Sequence, residues 1–187
     1  ALEKVYSSAA GLLSCQGEEI AVLENASRAW SLAFSSIPFQ AGDKILTSLS
    51  EYSSNYLVML HISKKTGAQI EIIPDDSQGQ VCLKSLVEAL DSKVRVIAIT
   101  HLPANNGLVN PAEAIGKMAR ERGILFFLDA TQSIGQIPLD VNTLSCDVLC
   151  GTGRKYLRGP RGTALLYVRK EIISKLEPPF PDLHSVI

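Results

Sequence analysis

Lys155 and Asp129 are the two residues of this chain best placed to do chemistry together. Lys155 sits in Gly151-Thr152-Gly153-Arg154-Lys155-Tyr156-Leu157-Arg158-Gly159-Pro160-Arg161-Gly162, directly after the apolar run Val148-Leu149-Cys150. Asp129 follows the apolar run Leu125-Phe126-Phe127-Leu128 and opens Asp129-Ala130-Thr131-Gln132. Each segment reads as a hydrophobic strand followed by polar, turn-forming residues. In a parallel α/β sheet, ligands bind in the crevice beyond the carboxyl ends of the strands. An amine placed there forms a Schiff base with an aldehyde, and a carboxylate keeps a ring nitrogen protonated. Pyridoxal 5'-phosphate (PLP) needs both, and Lys with Asp is its usual pair of protein partners.

Further stretches extend this pair. Glu51-Tyr52-Ser53-Ser54-Asn55 comes first, then His101-Leu102-Pro103-Ala104-Asn105-Asn106-Gly107-Leu108-Val109-Asn110-Pro111. Pro138-Leu139-Asp140-Val141, Cys146-Asp147-Val148, Gly159-Pro160-Arg161-Gly162 and Leu166-Tyr167-Val168 follow in order around Asp129 and Lys155. Together they resemble the class V aminotransferases of PLP fold type I, the group of cysteine desulfurases, selenocysteine lyases and isopenicillin N epimerase-like enzymes. The resemblance spans about Ile20 to Val168. It implies a PLP-dependent transferase, lyase or isomerase acting at the Cα of a small amino acid, and a homodimer with its active sites at the interface.

The resemblance also assigns roles. Ala26 and Ser27 fall where the family binds phosphate, between a strand and a helix N-terminus, where unpaired N–H groups and the helix dipole favour an anion. By residue type alone Ser27 equally reads as a helix N-cap. Thr152 and Arg154 flank Lys155 at phosphate-binding positions, and a hydroxyl and a guanidinium suit phosphate oxygens. Asp129 pairs with the pyridine nitrogen, and Gln132 bonds the ring's phenolic oxygen. Tyr52 lies where the family lays a ring over the cofactor. Many members have His there, and a Tyr face stacks but cannot exchange protons near neutral pH as His does. Asn105 lies on the next cofactor loop, one position after the Asn common in desulfurases, where this chain has Ala104; either Asn105 takes over that cofactor contact or the contact is missing. Lys155 is the catalytic residue. The version of its loop here leans toward the epimerase and lyase branch. A desulfurase's persulfide-forming Cys falls beyond Ile187 in this family.

The elements that must position these residues alternate as strands and helices. Strands are expected at 20–23, 44–47, 70–73, 94–99, 124–128, 147–150 and 164–168, and helices at 2–13, 27–34, 55–65, 83–90 and 111–122. The β-α-β rhythm and the apolar strands argue for a doubly wound, mostly parallel α/β sheet with helices on both faces. In the helix at 55–65, Leu57, Leu60 and His61 stand at helical spacing and read as packed. His101 ends a strand beside the site, and His184 falls in the tail. Cys146 and Cys150, in one expected strand, would point to the same face about 13 Å apart at ~3.3 Å per residue. That is too far for a disulfide.

Bulk properties narrow the function classes. The chain has 187 residues, 46% hydrophobic and 20% charged, with net charge −1. Such a balance suggests no affinity for nucleic acid. No apolar run approaches the ~20 residues that span a bilayer, and the first residues do not read as a signal peptide, so a cytoplasmic location is expected. The four cysteines lack the paired spacing of a zinc site, and no His/Asp/Glu cluster suits a metal. Neither G-x-x-x-x-G-K-[ST] nor G-x-G-x-x-G occurs, which disfavours nucleotide cofactors. The chain begins without Met inside an expected helix and stops after Pro178-Pro179-Phe180-Pro181. It reads as a PLP-binding large domain, 1–177, with a linker, 178–187, toward a C-terminal domain. The rival reading is a non-catalytic domain kept for dimerisation or regulation, which would need none of Lys155, Asp129 and Gln132.

Overall fold

The structure, a computed structural model, describes residues 2–105 and 107–180. Asn106 and His184, both noted from sequence, lie outside the described residues. Seven strands form one sheet: β1 (Ile20–Leu23), β2 (Lys44–Ser48), β3 (Gln69–Ile73), β4 (Val94–Thr100), β5 (Leu125–Asp129), β6 (Val148–Thr152) and β7 (Ala164–Val168). Their spatial order is β1-β7-β6-β5-β4-β2-β3. Neighbours pair in parallel from β6 through β3. β7 runs antiparallel to both β6 and β1, so it alone opposes the other strands. The helices are α1 (Leu2–Leu13), α2 (Ala26–Ser35), α3 (Ser53–Thr66), α4 (Leu83–Ala89), α5 (Ala112–Glu121), α6 (Val141–Leu144) and α7 (Lys170–Ile173).

The central strands are apolar along nearly their whole length because both sheet faces are covered. Alternation along each strand divides the core in two. Leu46, Ile97, Phe126 and Leu149 pack with Leu13 of α1, Leu86 of α4, Ile115 of α5 and Val141 of α6. Ile45, Ala98, Phe127 and Val148 pack with Trp30 and Phe34 of α2, Met59 of α3 and Ile172 of α7. Burying one such large side chain contributes ~1.5–3 kcal/mol. In α5 the buried residues Ala112, Ile115, Gly116 and Ala119 form the expected 3.6-residue stripe.

Two expectations fail here. In α3 the buried row is Asn55, Met59 and Ile62, while Leu57, Leu60 and His61 are exposed. The row runs at i, i+4, i+7 but starts with an amide, which hydrophobic spacing does not select. Cys146 and Cys150 belong to opposite core layers rather than to one face. Ser145 turns the chain with a positive φ of 51°. Asp147 is then clamped, accepting from Phe126 N at 2.8 Å and pairing with Arg169. Regular alternation therefore starts only at Val148. All four cysteines are free thiols.

Candidate active site

Sheet register brings the chemistry to one edge. Thr100 pairs with Asp129 and Asp129 with Cys150. Thr152 and Leu23 both pair with Ala164 of the intervening β7. The carboxyl ends of β1, β4, β5 and β6 thus line up, and a cleft of 410 Å³ opens beyond them. Ala26, Ser27, Tyr52, Asn105, Asp129, Gln132, Thr152, Arg154 and Lys155 all line it, joined by Asn25, Ser50, Glu51, Asn55, Thr100 and Thr131.

The N-terminus of α2 forms one wall. Its N-cap is Asn25, whose side chain accepts from Arg28 N at 2.8 Å. Ser27 is therefore not the cap. Ala26 and Ser27 occupy the first turn, where backbone N–H groups have no partner within the helix. An aromatic cluster fixes this wall: Trp30 and Phe34 meet Phe127 of β5 edge-on at 5.8 and 5.4 Å between centroids.

Asp129 forms the floor. It is 4% exposed. Its Oδ1 accepts from Thr131 N at 2.8 Å and its Oδ2 from Asn55 Nδ2 at 2.7 Å. The Cys150 thiol also hydrogen-bonds this carboxylate, so one of its four lone pairs remains for a ligand. Asn55 also donates to Glu51 Oε1 at 2.9 Å, which further accepts from Tyr52 N and from the Thr100 hydroxyl. Glu51 is pushed up to about 7, first by burial and then by the negative charge of Asp129.

Lys155 stands on the loop that follows β6, half-buried at the cleft. Burial chiefly lowers its pKa. Asp129 opposes that and Arg154 adds to it, which favours the free, nucleophilic amine. Close backbone approaches hold the loop. A Cβ on Gly135, whose φ is +79°, would sit 2.8 Å from the Tyr156 carbonyl. A Cβ on Gly153 would sit 2.2 Å from Thr163 Oγ1. Arg158, at φ 55°, donates its N–H to the Lys155 carbonyl at 3.0 Å and closes the turn.

His101 lies beside the cleft without lining it. It is buried, its Nδ1 is 3.0 Å from Ser133 Oγ, and burial lowers its pKa to about 4. It borders a separate groove next to α5. Sequence reasoning missed Glu51, Asn55 and Thr100. The available signal was an acid and an amide four residues apart, straddling Tyr52 just before a helix.

The donor set is bipolar. One wall and the rim offer N–H groups, hydroxyls and the cations Arg154 and Lys155, while the floor offers a carboxylate. Ser50 Oγ, at the cleft, is buried without a hydrogen-bond partner. The residues present thus fit a ligand with an anionic group at one end and a protonated ring nitrogen at the other.

Residues 1–182 match the family model for class V aminotransferases. The chain belongs to that family. Among curated members it is 33% identical over 172 residues to a probable cysteine desulfurase of Pyrococcus abyssi, covering 91% of this chain and 43% of that protein. It is 32% identical over 184 residues to a probable cysteine desulfurase of Synechocystis, covering 96% and 43%. Among solved structures, the apo cysteine desulfurase of Thermococcus onnurineus superposes with a TM-score of 0.92 at 30% identity, over 97% of this chain and 46% of that one. A C-DES variant with glycine covalently linked to its PLP cofactor superposes at 0.91 with 21% identity, over 100% and 50%, a likeness of fold alone. The chain spans less than half the length of the curated relatives it matches. It is an α/β class V aminotransferase-type chain with the PLP fold type I sheet, and among the described residues no helix is long and apolar enough to cross a membrane.

Proposed function

We propose that the cleft is the PLP site of an enzyme acting at the Cα of an amino acid, with Lys155 as the reacting amine. The observation that carries this reading is the convergence of Lys155, Asp129 and the first turn of α2 on one cleft. PLP, when bound, supplies an electrophilic aldehyde and an electron-accepting ring. The Ala26 and Ser27 N–H groups, the hydroxyls of Ser27 and Thr152, and Arg154 hold its phosphate. Tyr52 would cover the ring, Gln132 and Asn105 would bind its polar edge, and Asp129 would keep the ring nitrogen charged. Lys155 would hold the aldehyde end of the cofactor, and its Nζ would be placed to carry a proton at the substrate Cα. Exposed Leu49, Leu57 and Leu60, with Tyr52 at the cleft rim, offer an apolar face for the second subunit of a homodimer. The working compartment is the cytoplasm.

A second reading, cysteine desulfurase proper, is supported by the names of the relatives. Tyr52 counts against it, because a phenol cannot shuttle a proton near pH 7 as an imidazole does. Borohydride treatment of the PLP-loaded full-length protein tests the core of the proposal. It should fix the cofactor's mass on the peptide containing Lys155, and Lys155→Ala should lose the label. Labelling of another lysine, with Lys155 unmodified, would overturn the assignment. Sulfide release from cysteine, set against Cα-deuterium exchange with other amino acids, separates the two readings.

A further inference from the structure

Asp129 is not alone at the base of the cleft. Glu51, two residues before α3, brings a second carboxyl group behind it. One nitrogen joins them: Asn55 Nδ2 donates to Asp129 Oδ2 at 2.7 Å and to Glu51 Oε1 at 2.9 Å. Both hydrogens of a trigonal amide are then committed, and the two acceptor oxygens stand roughly 5 Å apart. Glu51 Oε1 also accepts from Tyr52 N at 2.8 Å and Thr100 Oγ1 at 2.6 Å. Glu51 Oε2 is sealed from solvent and accepts nothing. An ionised Glu51 would therefore keep half its charge on a bare oxygen in a low-dielectric pocket beside another anion, the least favourable place for it.

The surrounding groups do not relieve this. Cys150 of β6 faces both carboxyls, and burial together with Asp129 and Glu51 pushes its thiol far up, so it stays neutral. Lys155 interacts with Asp129. Tyr52 offers Glu51 its N–H, and Thr100 of β4 offers its hydroxyl. Neither reaches Oε2. Burial first and Asp129 second raise Glu51 to about 7, against the opposing hydrogen bonds.

We propose that Glu51 holds a proton on Oε2 and, through Asn55, is the positioning residue of Asp129, leaving Asp129 as the single anion facing the ligand until Glu51 ionises. Glu51 acts on Asp129 through Asn55, which donates to both carboxyl groups. It sets how much negative charge stands behind the ring-nitrogen partner, one unit with the proton on and two with it off. The part that concerns the ligand rests on the PLP reading of the cleft, while the location of the proton does not.

Infrared spectroscopy of the cofactor-free full-length protein tests the location. Wild type at pH 6 should show the carbonyl stretch of a buried protonated carboxyl group, and that band should disappear by pH 8.5. Glu51→Gln, which mimics the protonated acid in shape, should lack the band at both values, and Asp129→Asn should retain it. A wild type with no such band at pH 6 overturns the proposal. So does a band that survives Glu51→Gln and vanishes in Asp129→Asn, which would put the proton on Asp129. PLP titration of the same proteins tests the consequence. Wild type and Glu51→Gln should bind PLP alike at pH 6. At pH 8.5 wild type should bind it about 3–10-fold more tightly, because the second negative charge attracts the charged ring nitrogen. A purely structural Glu51 would give a ratio that does not change with pH, and that result removes the positioning role. If wild type acquires no visible absorption band with PLP at either pH, the cofactor reading of the cleft fails and the ligand half of the proposal falls with it, while the infrared result still decides where the proton is.

Discussion

Glu51 and His101 make the stability of this fold depend on pH in opposite senses. Glu51 is raised from 4.5 to about 7, by burial and then by Asp129. The folded protein keeps that proton when the unfolded chain has lost it. The resulting stability is full below pH 4.5 and lost as pH rises through 7. His101 is lowered from 6.5 to about 4 by burial. Its contribution is present above pH 6.5 and lost as pH falls through 4. Each displacement is worth about 3 kcal/mol between its limits, at 1.36 kcal/mol per pH unit. Between pH 5 and 7.5 each delivers about 2 kcal/mol of that, with opposite sign, so the pair nearly offsets in wild type. Single variants should expose the two halves. Urea unfolding of the cofactor-free protein, followed by circular dichroism, should show Glu51→Gln gaining about 2 kcal/mol relative to wild type on going from pH 5 to 7.5. His101→Gln should lose a similar amount over the same interval. The difference between the two pH values is the readout, so a uniform loss from repacking does not confuse it. If both variants keep the wild-type pH dependence, neither group is held in the ionisation state described here.

Asp129→Asn keeps one amide oxygen to accept from Thr131 N, while its NH2 faces Asn55; it should fold with a modest loss of stability and slow Cα–H exchange on the order of 10²–10³-fold, the size of losing one preorganised electrostatic partner. Near-normal exchange would remove Asp129 from its role. Gly153→Ala should destabilise by about 1–3 kcal/mol, as overpacking does, because its Cβ would meet Thr163 Oγ1 at 2.2 Å. That hydroxyl also donates to the Pro160 carbonyl and closes the loop beyond Lys155. Adding Thr163→Ala should restore part of the loss in thermal unfolding, and no rescue would place the strain elsewhere. Sedimentation of the full-length protein should give a symmetric dimer, the commonest closed form. A stable monomer at tens of micromolar, roughly the range in which obligate contacts persist, would leave the exposed apolar side chains beside the cleft unexplained.

The sequence by itself determined the alternation of elements, because apolar strands buried on both faces and short polar connections leave few other arrangements for a chain of this kind. It also placed Asp129 and Lys155 at strand ends, since ligand-facing residues of a parallel sheet follow directly from where apolar runs stop. All nine residues singled out from sequence line one cleft. The antiparallel sense of β7 was not legible, because a five-residue apolar run carries no direction until its partners are known. Nor was the exposure of Leu57 and Leu60, since helical spacing gives a face but not which face meets the sheet. That choice fell to Asn55, a polar residue buried because Asp129 and Glu51, distant or near in sequence, both accept its hydrogens. The proton assigned to Glu51 is a tertiary property. It depends on distances of a few ångströms across β5 and the start of α3, and on an oxygen sealed from water, and no pattern along one chain encodes either.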